Sequence, residues 1–107
     1  MTVEDKNQLL LTQLILMFQT AALQQMGKLK NPLTDKIERD LQQAQISVDM
    51  IEMLHTKMKG NLSSDEDRLF TDILRDLKLN YVDEVTKSKA AKNQQPPVSS
   101  TPESSSS

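Results

Sequence analysis

No charged side chain stands between Leu9 and Met26, in the run LLLTQLILMFQTAALQQM. That run constrains the fold more than any other feature. Its spacing is helical, with Leu10, Leu11, Leu14, Ile15, Met17, Phe18, Ala21, Ala22 and Met26 on one broad face. Leu9, Leu16 and Leu23, seven residues apart, form a second row on the opposite side. Thr12 and Gln19 separate the two faces along one edge, and Gln13, Thr20 and Gln24 along the other. A membrane span needs about 20 mostly apolar residues. The dense part, Leu9 to Leu23, holds two Thr and two Gln and has no basic cluster on one flank. The better reading is a helix with two apolar faces, because a helix apolar nearly all round is usually covered on several sides.

The rest of the chain supplies two more helices. Leu and Met are frequent and aromatic residues make up only 3%, a balance that favours helix over strand. The first helix is expected over about residues 5–26, with Asp5 at its start and Gly27 as the left-handed residue after its end. Asn31-Pro32 then marks a turn. A second helix is expected over about 41–59, capped by Asp40 and closed by Lys57, Lys59 and Gly60. A third is expected over about 64–87, because Ser63-Ser64-Asp65-Glu66 is a capping box with an acidic first turn. Residues 1–87 thus read as one all-α domain, a three-helix hairpin-type bundle. Residues 88–107, rich in Ser and Pro, read as a disordered tail.

The second helix repeats the theme of two faces. Leu41, Ala44, Val48, Ile51, Leu54, His55 and Met58 make one, and Ile46, Met50 and Met53 the other. Three helices cannot cover both second faces, and exposed apolar patches mark interfaces. A homo-oligomer, most simply a dimer, is therefore expected. Leu9, Leu16, Leu23, Ile46, Met50 and Met53 are its expected interface.

Chemistry is sparse. The formal charge of -2 gives no field toward nucleic acid. Absence of cysteine removes disulfides and thiolate sites and fits a cytoplasm, as does the acidic start Glu4-Asp5, which is unlike a secretory signal. Glu52 and His55 form one Glu-x-x-His, a spacing that di-iron bundles use twice with two further carboxylates. They are a weak metal candidate, and a flanking surface pair is the simpler account. Lys28, Lys30, Lys36 and Arg39 make a mildly basic loop. With no phosphate loop, nucleophile setting or paired carboxylates in a cleft, no enzyme activity and no cofactor is expected.

The segments LILMFQTAALQQMGKLKNPLT, IERDLQQAQISVDMIEMLHTKMKGNLSSDED and LRDLKLNYV resemble the bacterial family catalogued as domain of unknown function 1844. The resemblance spans roughly Gln8 to Val85. It implies a small helical bacterial protein of the cytoplasm without an established activity or ligand. A histidine at position 55 is not part of that pattern, which weakens the metal reading further. Two functions remain: a non-enzymatic oligomer acting through protein contacts, or a small-molecule or metal site at the oligomer interface. Peripheral membrane association through the first helix is a third, opposed by its lack of a cationic flank.

Overall fold

The computed structural model describes residues 1–94. They form three helices, α1 (Val3–Met26), α2 (Leu41–Lys57) and α3 (Ser64–Gln94), and no strand.

α1 begins two residues earlier than its sequence suggests. Thr2, not Asp5, is the cap: the Thr2 hydroxyl accepts from the Asp5 amide at 3.0 Å, and the Asp5 carboxylate accepts from the Thr2 amide at 3.3 Å. This reciprocal box satisfies two free amides of the first turn. Gly27 ends the helix in left-handed backbone, with φ 87°. α2 starts on the Asp40 cap as expected. It stops at Lys57, with Met58 as its last cap, so Lys59 belongs to the turn at Gly60. α3 opens on the Ser63–Glu66 box, 3.1 and 2.8 Å.

α3 does not stop at Lys87. Ser88 to Gln94 continue it, which corrects the expected boundary of the tail. The physical reason is local. Lys-Ala-Ala-Lys-Asn-Gln contains no breaker, and Ala and Lys are strong helix formers. The remainder of the expected tail, 95–107, lies outside the described residues.

Ile15, Ala22 and Met26 of α1 meet Ala44, Val48 and Ile51 of α2 and Phe70, Ile73, Leu74 and Leu77 of α3 in one core. Leu11, Phe18, Leu23, Leu54, Met58, Leu62, Leu69 and Tyr81 pack around it. Two neighbours cover only part of a helix. The nine-residue inner face expected for α1 is accordingly too wide, and Leu10, Leu14 and Met17 lie outside. Leu23 moves the other way, packing against the core rather than facing outward.

Two contacts fix how the helices sit. The Ser47 hydroxyl of α2 donates to Gln25 Oε1 of α1 at 2.6 Å, and Lys78 Nζ of α3 donates to Glu52 of α2 at 2.7 Å. The α1–α2 loop is tied down by Asn31. Its amide donates to Lys36 O, its Oδ1 accepts from Leu33 N, and its Nδ2 donates to Glu38 Oε1. Asp35 takes up a left-handed conformation there, φ 58°, which a short polar side chain tolerates.

Candidate interaction surface

The outer side of α1 is built from residues that nothing among the described residues covers. Leu10, Leu14 and Met17 are 51%, 42% and 68% exposed, and half-buried Ala21 continues their line. Steps of four, three and four residues give the seam spacing of a coiled coil. Asn7 and Val3 extend the seam toward the N-terminus, and Gln24 toward the other end. The core-facing residues Leu11, Ile15, Phe18 and Ala22 have the same steps. α1 therefore carries two seams, one filled and one open. A shallow apolar hollow of about 240 Å³ lies on the open one, lined by Leu14, Met17, Phe18 and Ala21. Sequence reading placed this row inside. Its own four-three-four spacing, set beside the inner row, is the signal that separates the two.

Of the six residues expected at an interface, Leu9, Leu16, Ile46, Met50 and Met53 are exposed, and Leu23 is not. Leu9 and Leu16 lie on the flank of α1 that leads round to Leu23. Ile46, Met50 and Met53 line the back of α2, away from the core. The open seam of α1 runs beside Phe18 and Gln25, and Gln25 faces Ser47 of α2. By helical periodicity the seam and the Met50 flank of α2 border one groove.

Charge is concentrated at the end of the molecule where α1 stops. Lys28 Nζ lies 3.0 Å from Asp83 and 2.9 Å from Glu84. Arg39 reaches the same Glu84, its Nη2 3.2 Å from the carboxylate and 2.7 Å from the backbone carbonyl. Lys87 adds contacts to both acids. Glu84 is largely buried, the only acidic side chain among the described residues that is. Its hydrogen bond to Lys28, helped by Lys87, holds its pKa below the ordinary carboxylate value against the cost of burial. Lys28 and then Lys87 do the same for Asp83. Glu84, followed by Asp83, holds Lys28 above the usual lysine range. Lys28 and Arg39, read from sequence as a loose basic loop, are thus spent on α3. Lys30 is exposed, with only a 4.0 Å approach to exposed Asp35.

Glu52 and His55 do not converge. Glu52 pairs with Lys78, whereas the His55 ring stacks on Phe70 at 5.0 Å and its Nε2 lies 2.7 Å from Asp67 Oδ1. An ionised carboxylate only accepts, so Nε2 donates in that bond. Among the described residues no group of three or more His, Asp or Glu side chains is placed to hold a metal. By length and composition alone, α1 is long and apolar enough to cross a membrane.

These observations define a small all-α domain whose distinguishing surface is an unpartnered apolar helix face. Residues 8–83 match the family described as Domain of unknown function (DUF1844), and the chain belongs to it. No curated protein and no solved structure matches the chain.

Proposed function

We propose that this chain is a non-enzymatic interaction protein that self-associates through the outer sides of α1 and α2. The observation that carries the reading is the row Leu10, Leu14 and Met17 of α1, open to solvent, with Ile46 and Met50 of α2 exposed as well. Monomers rarely expose contiguous apolar patches beyond a few hundred Å². An uncharged face also suits contact with its own copy, since a two-fold interface sets one patch against the same patch, where like charges would be costly. A cysteine-free composition fits a reducing cytoplasm as the setting. Sedimentation equilibrium at micromolar concentration tests the reading: a dimer or larger assembly is expected, and a folded monomer overturns it.

The composition of α1 favours one second reading, peripheral attachment of that helix to a membrane surface. Flotation with vesicles of neutral and of anionic lipid tests it. Failure to float with either removes it.

A further inference from the structure

We infer that the second copy lies antiparallel along the open seam of α1, seated in the groove between α1 and α2. This rests on the self-association just proposed and adds its face and direction.

The face follows from spacing. Leu10, Leu14, Met17 and Ala21 are the one row on α1 that is apolar throughout, keeps unbroken four-three-four steps and is left open by the core. Leu9 and Leu16 recur at seven, and their row ends on Leu23, which the protomer itself uses. In an antiparallel pair, a seam residue of one helix layers with its opposite number on the other. Leu10 then meets the Ala21 position and Leu14 meets Met17, so the large residues near the middle interleave and the small Ala21 makes room for Leu10. α1 is 24 residues long. A helix of that length, about 36 Å long and about 10 Å across, laid between two helices covers on the order of 700 Å². That is close to the roughly 800 Å² per partner of a stable interface.

The direction follows from charge. All acidic side chains of α1 lie in its first turn, at Glu4 and Asp5, and the basic residues Lys28 and Lys30 follow its end. Antiparallel packing sets Glu4 of each copy toward exposed Lys30 of the other, Lys28 being held by Asp83 and Glu84 of its own protomer. It also opposes the two helix dipoles. Parallel packing would align the two helix dipoles and would separate Glu4 from Lys30.

The chain contains no cysteine, so single-cysteine variants report geometry cleanly. Sedimentation equilibrium comes first, on the unchanged chain. A monomer there overturns the underlying self-association and this inference with it. With a dimer in hand, an affinity-tagged Leu10→Cys copy is mixed with untagged Ala21→Cys and oxidised. The expected product is the mixed disulfide, with little Leu10→Cys homodimer. In the antiparallel pair the two Leu10 positions are about 16 Å apart along the axis, beyond the ~7 Å a disulfide spans. A dominant Leu10→Cys homodisulfide overturns the direction. Failure of the mixed pair to link, while Leu16→Cys links to itself, overturns the face. In a second arm, Glu4→Lys is expected to weaken dimerisation by about two- to five-fold, the scale of an exposed ion pair, and Lys30→Glu in the same chain to restore it. Additive weakening by the two changes contradicts the end-to-end charge pairing.

Discussion

At Gly27 the backbone turns out of α1 at φ 87°, where a side chain is strained. A Cβ there would also lie 3.3 Å from Cγ and Cδ of Arg39. Gly60 shares the conformation, φ 91°, but has open space around it. The two glycines therefore separate backbone strain from crowding. Gly60→Ala is expected to cost about 1 kcal/mol and Gly27→Ala about 2 kcal/mol, since the latter also pushes Arg39 off Glu84. Urea midpoints at unchanged slope measure both, and equal losses would show that Arg39 simply gives way. The same corner predicts a pH response. Asp83 and Glu84 have lowered pKa values, so their contribution is fully present above the ordinary carboxylate range, about pH 4–5, and is lost as pH falls through the depressed values. Lys28 is raised, so its contribution is present below the ordinary lysine value, about pH 10, and is lost in stronger base. Glu84→Gln is expected to flatten the acid limb of a stability-versus-pH curve. An unchanged acid limb would contradict the pairing. None of this was readable from the sequence, because Glu84 looks like any acid on a solvated helix with Lys87 one turn on, and its other partners, Lys28 and Arg39, are more than forty positions away.

The elements were legible where a local signal marks them. Ser63 with Glu66, Asp40, Gly27 and Gly60 each stand at a helix end because short-range hydrogen bonding and left-handed backbone are properties of a few adjacent residues. Thr2 was passed over for Asp5 because both are good caps, and only the box between them shows which is the cap and which the third residue. The end of α3 is hidden for the opposite reason: the shift in composition at Ser88 resembles a stop, yet no Pro or Gly stands between Ser64 and Pro96. Caps also differ in what depends on them. Ser63→Ala frees the first turn of a helix whose Phe70 fills the core, and is expected to cost about 1 kcal/mol. Thr2→Ala unties an exposed first turn far from any core residue, and is expected to cost only a few tenths of a kcal/mol, as the turn can fray. Thermal denaturation of the two variants side by side checks the ranking.

For the whole molecule, the decisive contrast is between residues that hold a protomer together and apolar residues that the protomer leaves open. Phe70→Ala removes a fully buried ring and is expected to cost about 3–5 kcal/mol, a large share of the stability of a domain this size, read as a drop in melting temperature. Leu14→Glu puts a charge where the protomer leaves space, and is expected to abolish assembly with helicity by circular dichroism retained. If Leu14→Glu unfolds the chain instead, the outer row is intramolecular core and the interaction reading fails. Sequence patterning established that α1 has more apolar surface than one protomer can use. Which residues are surplus depends on the arc that α2 and α3 occupy, a property of three helices together, and periodicity within one helix does not contain it.

The Ser47–Gln25 hydrogen bond takes on a further meaning in this light. Apolar rows that repeat every three or four residues fit a neighbour nearly as well after a slip of one repeat, so they hold helices together without counting residues. A buried hydroxyl and its amide partner are different. They satisfy each other at one alignment only, and any slip leaves Ser47 without its partner in the interior. The pair acts as a notch in an otherwise smooth ruler. Replacing both, Ser47→Ala with Gln25→Leu, is expected to leave the melting temperature unchanged or higher while amide hydrogen exchange in α1 quickens. The helix would be held as firmly as before, at more than one setting.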